Sequence, residues 1–139
     1  MDFAAMRAEL IEHLGAEIKD KRVLAAMARI PREQFVPPVE RHLAYEDKPL
    51  PIGFDQTISQ PLIIAMMTEA LELTGDEKVL EVGTGSGYQA AILAELARLV
   101  ITTERLSPLA EAAKEVLDRL GYTNVEVHLA EATLGWQKQ

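Results

Sequence analysis

Three glycines, Gly83, Gly85 and Gly87, alternate with other residues in the stretch VLEVGTGSGYQAA. Glycine in such a loop supplies positive φ for a tight turn and lets a ligand approach the main chain with no Cβ in the way. The spacing is G-x-G-x-G, which is neither the G-x-G-x-x-G of dinucleotide binders nor, without a following Lys-Ser/Thr pair, a phosphate-cradling loop. Alone, the trio reads as well as a plain strand-to-helix turn. Glu104 adds chemistry, since it stands about 20 residues beyond the loop at the end of the next apolar run, where a carboxylate can accept both hydroxyls of a ribose. Its plainer reading is a solvated acid paired with Arg105. Loop, strand context and acid together point to a nucleoside-containing cofactor. Nothing else offers a nucleophile or metal site by pattern: there is no cysteine, and His13, His42 and His128 are scattered without ligand spacing.

The elements that must position these residues follow from periodicity. Phe3, Met6, Leu10, Leu14 and Ile18 form one apolar stripe of an N-terminal helix. Val23, Leu24, Met27 and Ile30 predict a second, shorter helix stopped by Pro31. Five prolines fall between Pro31 and Pro51, so that stretch reads as an irregular, wrapped segment that packs through its aromatic and apolar residues. Pro61 suits the first turn of a helix through LIIAMMTEALEL, with Met66 and Met67 expected in its core and Thr74-Gly75-Asp76 ending it. KVLEVG then reads as a buried strand, YQAAILAELARL as a helix and VITTE as a second strand. Ser107 and Pro108 are expected as N-cap and first turn of LAEAAKEVLDRL, which Gly121 closes, and NVEVHLA is a third strand. This alternation predicts an α/β fold: the N-terminal half of a doubly wound, Rossmann-like sheet of three parallel strands with helices, preceded by an N-terminal helical segment. The expected organisation is a helical and wrapped portion, 1–60, and a half-Rossmann unit, 61–139, in one structural domain.

The 139 residues carry 14 Lys and Arg against 22 Asp and Glu, a net charge of −8. A field of that sign repels phosphate backbones and anionic lipid, which argues against nucleic acid and membrane partners. No apolar run approaches the roughly 20 residues that span a bilayer, and the expectation is a soluble cytoplasmic protein.

The stretches IPREQFVPP, AYEDKPLPIG, QTISQP, VLEVGTGSGYQAAILAEL, TTERL and LGYTNVEVHLAEATLGW together resemble the protein-L-isoaspartate O-methyltransferase family, class I enzymes that use S-adenosylmethionine. The resemblance runs from about Val23 to Trp136. It implies methylation of the α-carboxyl of isoaspartyl residues in damaged proteins, whose ester closes to a succinimide that hydrolyses in part to aspartate. By that resemblance Gly83, Thr84, Gly85, Ser86 and Gly87 line the methionine and ribose side of the cofactor, Glu104 holds the ribose, and Ile58, Glu81 and Arg105 border the same site. Glu131 corresponds to the residue that reaches the adenine, its alternative being an exposed loop acid. Thr57 and Ser59 match the active-site segment; Ser59 equally suits a cap on the helix that begins at Pro61.

The chain departs from the family pattern in three ways. Asp55 replaces a glycine just before QTIS, Ala130-Glu131-Ala132 replaces Gly-Asp-Gly, and the family's remaining strands are absent, so a C-terminally truncated form is expected. An uncovered central strand edge would then invite a homo-oligomer. Other readings stay open: a module that binds S-adenosylmethionine or a related nucleoside without catalysis, or a self-associating fragment that binds no cofactor.

Overall fold

The protein is described by a computed structural model covering residues 1–130. It divides into two compact units, Met1–Leu73 and the unit from Thr74 onward. Glu131, Ala132 and Trp136 lie outside the described residues.

In the first unit, α1 (Phe3–Leu14) starts at Asp2, whose carboxylate accepts the Ala5 amide at 3.0 Å, a side-chain N-cap. The helix ends one turn short of its apolar stripe. Gly15 is its C-cap, yet the Ile18 amide still reaches the Leu14 carbonyl at 2.9 Å, so Ile18 joins Leu10 and Leu14 in the core. Asp20 caps α2 (Lys21–Arg29) in the same way through the Arg22 amide, while the Glu69 carboxylate takes the Lys19 and Asp20 amides at 2.7 and 2.8 Å. Val23, Ala26, Met27 and Ile30 are buried, each of the larger ones worth about 1.5–3 kcal/mol of apolar transfer.

The expected irregular segment is more ordered than its prolines suggest. It forms two 3₁₀ turns, Arg32–Phe35 and Pro38–Leu43, and then an antiparallel hairpin of β1 (Leu50–Gly53) and β2 (Gln56–Ile58), with Leu50 opposite Ile58 and Pro51 opposite Thr57. A two-stranded sheet has only edges, so it tolerates Pro51. The hairpin turn is Phe54-Asp55, both left-handed at φ 56° and 57°. Helix α3 (Pro61–Leu71) follows, with proline in its first turn. Its N-cap is Gln60, without a side-chain cap bond, so Ser59 does not cap it; the Asp47 carboxylate instead accepts the Leu62 amide at 2.9 Å. Met66 and Met67 are corrected from core to surface, at 50% and 61% exposure, because the buried face of α3 is Ile64, Ala65 and Thr68.

The second unit alternates β3 (Lys78–Val82), α4 (Tyr88–Leu96), β4 (Leu99–Glu104), α5 (Ser107–Arg119) and β5 (Val125–Leu129). The strands form a parallel sheet in the order β3-β4-β5, the half-wound α/β arrangement expected. Central β4 is buried, whereas Leu80 and Val82 of β3 remain 55% and 58% exposed, which corrects the wholly buried strand expected there. Ser107 is the first residue of α5 and not its cap, a place held by Leu106 with no side-chain cap bond. Gly121, at φ 88°, closes α5 with its amide on the Asp118 carbonyl at 3.0 Å. Among the described residues no helix is long and apolar enough to cross a membrane.

Candidate cofactor site

Where β3 ends, the chain turns through the three glycines at φ 92°, 54° and 92°. The Gly83 and Thr84 amides both donate to the Thr103 carbonyl, at 2.8 and 3.0 Å, which pins the loop's start to the end of β4. Its finish is pinned by the Gly87 amide on the Thr84 carbonyl at 3.0 Å, and the Ser86 hydroxyl accepts the Tyr88 amide at 3.2 Å. A Cβ added to Gly83 meets nothing within 4 Å, so open space lies before the loop. At Gly87 the need is different: a Cβ would stand 3.2 Å from the Cβ of Ala113, so glycine lets α4 begin against α5.

Glu104 is buried at the end of β4. Its two carboxylate oxygens accept the Gly85 amide at 2.9 Å and the Leu106 amide at 3.0 Å, tying the middle of the glycine loop to the turn after β4. The exposed Arg105 follows it, and backbone amides hold its carboxylate. Each oxygen keeps lone-pair capacity for a further donor.

Behind the loop runs a chain of polar side chains. The Thr102 hydroxyl donates to the Glu81 carboxylate at 2.7 Å and lies 2.6 Å from the Thr84 hydroxyl, which must then donate to it. Thr84 and Thr102 are buried and Glu81 is half-buried. Burial pushes the Glu81 carboxyl up to about 7; the Thr102 hydrogen bond opposes this and the Glu104 charge adds to it. Two carboxyl groups therefore serve one loop, Glu104 from the amide side and Glu81 through two hydroxyls.

In the first unit, Thr57 and Ser59 are exposed and flank the buried Ile58 at the end of the hairpin. The Ser59 carbonyl accepts Arg32 Nη2 at 3.0 Å. The structure thus brings Gly83, Thr84, Gly85, Ser86, Gly87, Glu81 and Glu104 into one constellation, with Thr57, Ile58 and Ser59 on the other unit. Glu131 falls outside the described residues. Sequence reasoning missed Thr102 and Arg32. Polar Thr102 inside an apolar strand was the available signal for the first; nothing marked the second.

Comparison with known proteins places the chain in a family. The profile of Protein-L-isoaspartate(D-aspartate) O-methyltransferase (PCMT) matches residues 5–139. A protein-L-isoaspartate O-methyltransferase of Dictyoglomus turgidum is 56% identical over 133 residues, covering 95% of this chain and 60% of its own length. One of Geobacter metallireducens is 51% identical over 141 residues, covering 100% of this chain and 65% of the relative. The chain thus spans about three fifths of the length of these curated relatives. Among solved structures, a protein-L-isoaspartate O-methyltransferase superposes at TM-score 0.82 with 31% identity, covering 94% of this chain and 44% of that one. A Plasmodium falciparum structure in complex with S-adenosyl-L-homocysteine superposes at 0.73 with 25% identity, covering 87% of this chain and 61% of that one. By the match across its length, this chain belongs to the protein-L-isoaspartate(D-aspartate) O-methyltransferase family.

Proposed function

We propose that the unit from Thr74 onward binds S-adenosylmethionine and that the chain serves methyl transfer to the α-carboxyl of isoaspartyl residues in damaged proteins. The observation that carries this reading is the buried Glu104 carboxylate, held against the Gly85 amide with acceptor capacity to spare. The donor sets fit: a ribose offers two hydroxyl donors to that carboxylate, open space lies before Gly83, and the Glu81 and Glu104 carboxyls suit a cationic ligand.

In this reading Gly83, Thr84, Gly85, Ser86 and Gly87 line the methionine and ribose side, Glu104 holds the ribose, Arg105 borders the site, and Glu131 corresponds to the adenine-contacting residue of the family pattern. Bound S-adenosylmethionine supplies a methyl group made electrophilic by its sulfonium sulfur. An acceptor carboxylate has a pKa near 4 and is ionised at neutral pH, so no general base is required of the chain. Thr57 and Ser59 donate hydroxyl hydrogens to orient it, and placement carries the rate effect. Binding without transfer is the second reading, favoured by exposed Asp55, whose charge opposes an acceptor carboxylate.

One experiment separates them. Calorimetry should show saturable S-adenosylmethionine binding, and labelled methyl should pass to an isoaspartyl peptide and not to its aspartyl counterpart. Binding with no transfer leaves the second reading; absence of binding sinks both. A second copy of the chain is the further partner we propose, at the edge of β3, which has no neighbouring strand among the described residues and carries exposed Leu80 and Val82. Light scattering should report a dimer, and a monomer at high concentration would dismiss it.

A further inference from the structure

The β1–β2 hairpin is too small to hold its own shape, since an isolated two-stranded hairpin is marginal in water. Its C-terminal end must be fixed by something else, and the largest wholly buried side chain among the described residues is placed to do it. Arg32, at 0% exposure, donates from Nε to the Ala44 carbonyl at 2.8 Å and from Nη2 to the Ser59 carbonyl at 3.0 Å, with the Lys48 carbonyl at 3.5 Å. One guanidinium therefore joins the end of the second 3₁₀ turn, the approach to β1 and the end of β2. Three residues past Ser59, the Asp47 carboxylate grips the Leu62 amide at 2.9 Å, so Ser59 to Leu62 is held at both ends by the wrapped segment. Only a planar fork with several fixed donors can serve carbonyls in these different directions, and burying such a charge is expensive enough that filler would be apolar.

We propose that Arg32 is the positioning residue of the Thr57–Ser59 segment, setting the Ser59 carbonyl and with it the placement of the Thr57 and Ser59 hydroxyls toward an acceptor peptide. This rests on the reading of Thr57–Ser59 as the acceptor side. Arg32 touches no reacting atom. Its effect is exerted through main-chain geometry, so loss of it should fall on the peptide and not on the cofactor.

The test uses the whole chain and its Arg32→Lys and Arg32→Met variants. Amide hydrogen exchange is compared between residues 50–59 and strands β3–β5, and binding of an isoaspartyl peptide and of S-adenosylmethionine is titrated separately. In Arg32→Lys, exchange in 50–59 should quicken and peptide affinity should fall by about tenfold, the weight of one charged hydrogen bond. Strand exchange and cofactor affinity should stay as in the parent, and kcat/KM for the peptide should fall while the KM for S-adenosylmethionine holds. Arg32→Met should exceed Arg32→Lys in each peptide-side effect; if it does not fold, the lysine variant decides. Hairpin exchange equal to the parent, or a rise spread evenly over the chain, overturns the proposal. A parent chain that binds no isoaspartyl peptide overturns the acceptor-side reading instead, while the exchange comparison still tells whether Arg32 holds the segment.

Discussion

Gly87 is held to glycine by two independent demands, a φ of 92° and the Ala113 Cβ that would lie 3.2 Å from an added Cβ. Left-handed backbone costs an L-residue roughly 1–2 kcal/mol and overpacking a core contact a further 1–3. Gly87→Ala should therefore lower the urea-unfolding free energy by about 2–5 kcal/mol, whereas Gly83→Ala, with open space at its Cβ, should lower it only by the backbone part. Glu104 carries two loads, the glycine loop and the proposed ribose. Glu104→Ala should weaken S-adenosylmethionine binding by on the order of 1–3 kcal/mol, and calorimetry showing unchanged affinity would remove the ribose assignment. At this scale the loop glycines and Glu104 were legible because each side chain type has few reasons to stand where it does. Thr102 and Arg32 were not, since a threonine in a strand and an arginine after a proline both have ordinary surface readings, and only the fold shows what they reach.

The elements were legible where hydrophobic period and caps agreed. The strand–helix alternation from Lys78 to Leu129 and the helices α2 and α3 stand where the apolar spacing puts them, and α1 does so up to its last turn. The hairpin was not legible, because Gly-Phe-Asp-Gln lacks the Asn-Gly signature of a two-residue turn and Pro51 argues against a strand. Its turn nonetheless requires left-handed backbone at Phe54 and Asp55. Asp55→Gly should relieve that strain and stabilise the first unit by about 0.5–1 kcal/mol, read as an upward shift of its denaturation midpoint. The same change removes a carboxylate beside Thr57 and should tighten peptide binding, so an Asp55→Gly variant that is no more stable and binds no better would contradict both. Met66 and Met67 were misplaced for a simpler reason: α3 is apolar nearly all round, and periodicity alone does not say which face is covered.

Over the whole molecule, pH dependence follows from Glu81. Its carboxyl sits at about 7 in the folded chain against an ordinary 4.5, so the fold holds that proton more tightly than the unfolded chain does. The stabilisation is fully present below about 4.5 and is lost as pH rises through 7. Glu77 acts in the opposite sense: the Thr74 amide and its neighbours hold it down to about 2, a contribution lost as pH falls. The parent should thus lose on the order of 1–3 kcal/mol between pH 5 and pH 8 relative to Glu81→Gln. Urea midpoints of the two proteins at both pH values give the difference, and parallel slopes would refute the assignment.

Asn124 stands just before β5, its side-chain amide shared among the carbonyls of Ala94, Ala97 and Arg98, at 2.9, 3.3 and 3.3 Å. It is the sole asparagine of the sequence, and no aspartate is followed by glycine. Deamidation needs that side chain to swing onto the nitrogen of the next residue, here branched Val125 in a sheet. An amide tethered to three carbonyls and followed by a strand cannot easily make that swing, so in the folded chain Asn124 is held back from ageing into the very lesion that gives the family its name.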